Sequence, residues 1–184
     1  MRHLILFLLI ALSINADAQS HFVERTTDVL CLAPAATGLV KAIVEKDKDG
    51  IIQLALSSAT GIAVNYGLNA CIRKDRPQMP DTPGWSDRHA FPSTHAMAAF
   101  DGATFLMRRY GWQWGVPAYA VSAYVAWGRV HTDRHDLWDV IGGAAVGAGS
   151  ALIFTRPFAR DVNLTISPAV FNDNGKGIYL SLKF

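Results

Sequence analysis

Five long apolar stretches follow one another along the chain, and short polar segments separate them. Residues 29–44 are apolar apart from Lys41, carry Pro34 near their start and run into Glu45-Lys46-Asp47-Lys48-Asp49-Gly50. That pattern predicts a helix followed by a tight polar turn. Residues 51–69 contain no charged residue, and at about 1.5 Å per residue they cover roughly the thickness of a bilayer core. They are the strongest transmembrane candidate. A polar loop at 72–92 precedes three more predicted helices at 93–110, 114–128 and 135–154. Tyr110-Gly111-Trp112 and the loop 129–134 divide them. Beyond Arg160 the period changes to two. Val162, Leu164 and Ile166 alternate with polar neighbours, as do Ile178, Leu180, Leu182 and Phe184, around the turn-rich Asn172-Asp173-Asn174-Gly175-Lys176-Gly177. This predicts a β-hairpin.

The expected fold class is therefore all-α: an antiparallel helical bundle embedded in a membrane, with a short C-terminal β-hairpin. Composition agrees. Hydrophobic residues make up 51% of the 184 and charged residues only 17%, more apolar than an average soluble domain. Small residues at Gly143-x-x-x-Gly147 and at Ala96, Ala99 and Ala103 suit close approach between helix backbones. Asp101 and Asp139 are costly in lipid, on the order of 3 kcal/mol at mid-bilayer, and are expected to face the bundle interior. A net charge of +2 without a long basic run gives no footprint for nucleic acid.

Met1-Arg2-His3, the apolar run 4–12 and Ala16-Asp17-Ala18 read as a signal peptide over residues 1–18. The expected organisation is then a helical domain at 19–160 and a hairpin tail at 161–184. Cys31 and Cys71 lack metal-ligand spacing and are expected as buried small apolar residues. Short connections make successive helices antiparallel, so the loops 72–92 and 129–134 fall at one end of the bundle. Counting spans from a cleaved signal places that end on the exported side, with Arg108, Arg109, Arg156 and Arg160 at the cytoplasmic end.

Three polar clusters lie at that shared end. Arg73-Lys74-Asp75-Arg76-Pro77 sets four charges at the close of an uncharged helix; a solvated helix end is the plain reading. Phe91-Pro92-Ser93-Thr94-His95 predicts a helix start with Ser93 as N-cap, and free amides there would bind an anion beside His95. The third cluster is Gly128-Arg129-x5-His135-x3-Asp139. On a helix, His135 and Asp139 share a face, so the carboxylate can accept the Nδ1 proton and leave Nε2 to attack. A metal site from His131, Asp133, His135 and Asp136 is the rival reading, weakened by the arginines that would repel a cation. Asp136 is expected as a helix-start charge.

Taken together, Arg76-Pro77, Pro92-Ser93-Thr94-His95 and Arg129-x5-His135-x3-Asp139 resemble the three-part signature of the type 2 phosphatidic acid phosphatase and haloperoxidase superfamily, across 69–139. The resemblance implies a hydrolase without metal or other cofactor, in which His135 is the nucleophile, Asp139 holds it and His95 protonates the leaving oxygen. It implies that Arg76, Arg129, Ser93 and Thr94 hold the phosphoryl oxygens. Three positions depart from the family pattern: Asn69 where a Lys is usual, Thr94 where Gly is usual and Gly128 where Ser is frequent. Arg73 or Lys74 are candidates to replace the lost cation. The expected function is hydrolysis of a lipid phosphate or diphosphate through a phosphohistidine, at the periplasmic side of a bacterial cell-envelope membrane. The alternatives are a soluble periplasmic acid phosphatase for small phosphomonoesters and a non-catalytic phospholipid-binding protein.

Overall fold

The computed structural model describes residues 20–77, 89–158, 163–170 and 176–183. The expected signal segment 1–18 lies outside them. Among the described residues, six helices run in sequence: α1 over residues 20–30, α2 (Ala33–Val44), α3 (Lys48–Cys71), α4 (Thr94–Tyr110), α5 (Trp112–His131) and α6 (Leu137–Phe154). The strands β1 (Asn163–Val170) and β2 (Lys176–Lys183) pair antiparallel, with Leu164 opposite Leu182 and Ile166 opposite Leu180.

Helical structure starts earlier than the apolar pattern indicated, at Ser20 instead of Val29. α1 and α2 run on from one another with a break at Cys31 and Leu32; the apolar part is mainly α2, while α1 carries Glu24, Arg25 and Asp28. Pro34, in the first turn of α2, has no N–H to donate back to the preceding turn. The charged segment after α2 is more than the tight turn expected, because it already starts α3. Asp47 is the N-cap of α3, its carboxylate accepting from the Gly50 amide at 2.9 Å, so Lys48 to Gly50 already belong to the helix.

α4 is the central helix, packed by α2, α3, α5 and α6. Close approach to α6 depends on glycine: a Cβ on Gly143 would lie 2.3 Å from the Ser93 carbonyl oxygen, and one on Gly147 2.1 Å from that of Met97. The Gly-x-x-x-Gly pair therefore sets α6 against the backbone of α4.

Polarity is distributed as in a protein solvated by lipid. Ser57, Asn65, Asn69, Asp101, Thr104, Ser122 and Ser150 are buried, whereas Val40, Val44, Ile52, Ile62, Ile141 and Ile153 are exposed. Several of these polar groups are paired inside the bundle: Ser58 donates to Asp101 at 2.6 Å, Ser122 to the Ala99 carbonyl at 2.8 Å, and Thr104 and Tyr119 share a hydrogen bond of 2.8 Å. Among the described residues, three helical segments, Ser20–Val44, Lys48–Cys71 and Leu137–Phe154, are long and apolar enough to cross a membrane. Asp101 and Asp139 face the interior as expected, each no more than 1% exposed. Cys71 does not: Cys31 is buried, but Cys71 ends α3 on the exposed side.

The C-terminal ends of α3 and α5 and the N-terminal ends of α4 and α6 meet at one end of the bundle. The other end is locked by Arg109. Its guanidinium donates to both oxygens of Asp47, at 2.7 and 2.5 Å, and to the Arg156 carbonyl at 2.9 Å. Burial works to raise the pKa of Asp47, but bonds from Arg109, the Gly50 amide and Tyr110 hold it below the ordinary carboxylate value.

Candidate active site

Main-chain bonds build the scaffold of the polar end. After α5, the amides of Arg134 and His135 both donate to the Arg129 carbonyl at 3.1 Å. Asp133, just before these two residues, takes a left-handed φ of 51°. This loop closure places His135 beside Arg129 despite the five residues between them. α6 then begins two residues later than expected, at Leu137. Asp136 is its N-cap in a reciprocal capping box, accepting from the Asp139 amide while Asp139 accepts from the Asp136 amide, each at 3.0 Å. Asp136 is thus the helix-start residue the sequence indicated.

On the other side of the site, Ala90 N–H donates to the Lys74 carbonyl at 3.0 Å within a short parallel bridge between Lys74 and His89. The Ala90 carbonyl is then aimed at His135, 2.9 Å from Nδ1. A carbonyl can only accept, so Nδ1 carries the proton and the lone pair of the neutral ring is on Nε2. Asp139 Oδ2 lies farther away, 3.6 Å from the same nitrogen. This corrects the expected arrangement: His135 precedes α6 instead of sharing a helix face with Asp139, and a main-chain carbonyl holds its tautomer. The Asp139 carboxylate is engaged by the capping box and by Lys74 Nζ at 2.7 Å. Lys74 also pairs with Asp136. Burial opposes the charge on Lys74, but the two carboxylates raise its pKa above the ordinary lysine value.

His135 is only 4% exposed. Burial first, then the fields of Arg76 and Arg129, push its pKa down to about 3 from the usual 6.5. Arg76, Arg129 and His95 are all close enough to act on His135 electrostatically, and Arg76 and Arg129 act on His95 in turn. The structure therefore brings together His135, His95, Arg76, Arg129 and Asp139. Ser93 occupies the N-cap position of α4, but its side chain does not cap the helix; its Oγ is buried and, among the described residues, has no hydrogen-bond partner. The same is true of Arg129 Nε. The rival metal ligands go elsewhere, with His131 stacked on Trp127 at 4.6 Å and Asp136 paired with Lys74.

The three departures have local explanations. Asn69 is buried and its amide donates to the Asn65 carbonyl at 3.0 Å, with the Pro92 carbonyl at 3.5 Å, so it braces the loop before α4. The Thr94 hydroxyl is 2.9 Å from Asn65 Nδ2, turned toward α3. A Cβ on Gly128 would meet Thr27 Cγ2 at 2.5 Å and Val23 Cγ1 at 3.1 Å. Glycine there makes room for α1.

α1 supplies the residues that sequence reasoning missed. Asp28 Oδ1 lies 2.5 Å from Arg129 Nη1 and 3.2 Å from His95 Nε2. Glu24 pairs with Arg134, and Thr26 shares a hydrogen bond of 3.2 Å with Tyr124. The available signal was Glu24 and Asp28 four apart, interleaved with Val23 and Thr27. That is one helical face carrying two acids toward a basic site.

The PAP2 superfamily model matches residues 50–162, more than half of the chain. The chain belongs to the PAP2 superfamily. Among its relatives, a lipid A 4'-phosphatase of Helicobacter pylori strain J99 is 29% identical over 144 residues, covering 76% of this chain and 72% of the relative. The fold is that of two crystallised proteins. Aquifex aeolicus LpxE superposes with a TM-score of 0.61 at 17% identity, over 74% of this chain and 84% of that one. The Bacillus subtilis transmembrane PAP2-type phosphatidylglycerolphosphate phosphatase superposes with a TM-score of 0.51 at 22% identity, over 78% and 84%. Arg76, His95, Arg129, His135 and Asp139 all lie within the matched region.

Proposed function

We propose that this PAP2 protein is a membrane phosphatase that removes a phosphate group from a lipid through a phosphohistidine on His135. The observation that carries the reading is a neutral imidazole whose Nδ1–H is fixed by the Ala90 carbonyl, buried among two arginines and a second histidine. Such a ring presents the Nε2 lone pair as a nucleophile without first losing a proton.

In the first step the Nε2 lone pair forms a bond to phosphorus and the bond to the leaving oxygen breaks. That oxygen takes a proton from His95. In the second step water attacks phosphorus, gives its proton to His95, and the P–N electron pair returns to His135. Phosphoryl transfer needs in-line positioning and stabilisation of the equatorial oxygens more than a strong base. Arg76, Arg129 Nε, Ser93 Oγ and the first amides of α4, including that of Thr94, are the groups suited to it. Asp139 stabilises positive charge as it develops on His135, from 3.6 Å. Lys74, a candidate replacement for the family's lysine, instead holds Asp136 and Asp139 in place.

Three membrane-length helices around the site favour a lipid over a small soluble phosphomonoester. The relationship to a lipid A 4'-phosphatase puts the phosphates of lipid A first among substrates. A cleaved signal would place the site on the periplasmic face. The test is phosphate release by the purified protein in detergent containing EDTA, from lipid A, phosphatidic acid, phosphatidylglycerol phosphate and undecaprenyl diphosphate. Release by the wild type that is lost in His135→Ala is expected. Binding of these lipids without release from any of them would instead mean a non-catalytic lipid-binding protein.

A further inference from the structure

We propose that Asp28, on α1, is the positioning residue that makes His95 the general acid. This rests on the phosphohistidine reading above and adds a residue from outside the region matched to the PAP2 superfamily, which starts at residue 50. Three observations carry it. Asp28 Oδ1 is 3.2 Å from His95 Nε2, within ion-pair distance of that nitrogen. The same oxygen accepts from Arg129 Nη1 at 2.5 Å, so Asp28 is anchored to a residue that is itself 4% exposed. α1 is seated for this role by Thr27 and Val23 against Gly128, by Thr26 on Tyr124 and by Glu24 on Arg134.

The chemical need is specific. A histidine among arginines resists carrying the proton that the leaving oxygen requires, and a carboxylate on its far nitrogen offsets that field. With Nε2–H held by Asp28, Nδ1 is the nitrogen left to serve the leaving group. In the first step the Nδ1–H bond breaks and an O–H bond forms on the departing alcohol. In the second, water returns a proton to Nδ1. Asp28 keeps Nε2–H throughout and does not itself exchange a proton with substrate.

The experiment is a double-mutant cycle of Asp28→Asn and His95→Ala in the full-length protein, with two substrates. One is an alkyl lipid monophosphate such as phosphatidic acid, whose leaving alcohol needs protonation. The other is p-nitrophenyl phosphate, whose leaving group does not. Asp28→Asn is expected to lower kcat on the alkyl substrate by about 10²-fold and on the aryl substrate by less than tenfold. In the His95→Ala background, Asp28→Asn is expected to add no further loss on the alkyl substrate. Equal losses on both substrates, or losses that multiply in the double variant, would show that Asp28 only supports the fold or Arg129, and would overturn the proposal. A faster Asp28→Asn enzyme would overturn it too, by showing that the carboxylate competes with the phosphoryl group. If the wild type hydrolyses neither substrate, the underlying phosphatase reading has failed instead.

Discussion

The Ala90 carbonyl oxygen sits 2.9 Å from His135 Nδ1, closer than either oxygen of the Asp139 carboxylate. A main-chain acceptor thus fixes the tautomer of His135, the proposed nucleophile, and Asp139 acts from the second position. Asp139→Asn should therefore lower kcat by about tenfold to 10²-fold, at the low end of acid–base contributions, while His135→Ala removes turnover. Steady-state phosphate release on both variants checks the order; equal loss in both would give Asp139 the tautomer-fixing role.

Protonation of His135 gives a second test. Its pKa of about 3 in the fold lies below the unfolded value of 6.5, so below pH 6.5 the unfolded chain binds a proton that the folded one refuses. Stability should fall with acid by about 1.4 kcal/mol per pH unit from this residue, down to pH near 3. Imidazole ¹⁵N shifts of the detergent-solubilised protein should report neutral Nδ1–H at pH 5. The acid-induced loss of thermal stability should be shallower in His135→Gln.

Gly128 is glycine because α1 lies against it. A side chain at that position would drive its Cβ to 2.5 Å from Thr27 Cγ2. Gly128→Ser, although it matches the commoner family residue, should cost on the order of 1–3 kcal/mol through overpacking. Combining it with Thr27→Ser, which removes the offending methyl, should recover part of the loss in a thermal melt.

At the far end of the bundle, Arg109→Met would leave Asp47 buried with only Tyr110 and the Gly50 amide as partners. The expected cost is about 3 kcal/mol of stability, with kcat of the folded fraction unchanged because this pair is remote from His135. Thermal denaturation measured beside specific activity separates the two effects.

Much of this architecture was legible in the chain. The uncharged run 51–69 and the Gly143/Gly147 pair predicted how α3 and α6 would be used, and three spaced motifs predicted which side chains would meet. What was not legible depends on contacts between distant segments. The stretch containing Glu24 and Asp28 has no strong apolar pattern, and only its packing on Gly128, Arg129 and Arg134 turns it into part of the site. The Ala90 carbonyl has no side-chain signature at all. Asn69 and Thr94 looked like losses from the phosphate site, yet Asn69 on α3 reaches the Pro92 carbonyl and Thr94 at the start of α4 is tied to Asn65 on α3. Lys74, whose charge was visible, serves two carboxylates instead of a phosphate.

The central claim is that phosphate passes through His135, and rapid acid-free quenching of turnover followed by peptide mass spectrometry tests it most directly. A base-stable, acid-labile phosphoryl group on the peptide carrying His135, absent in His135→Ala, is the predicted result. Continued turnover in His135→Ala, or a phosphoryl group trapped on another residue, would contradict it.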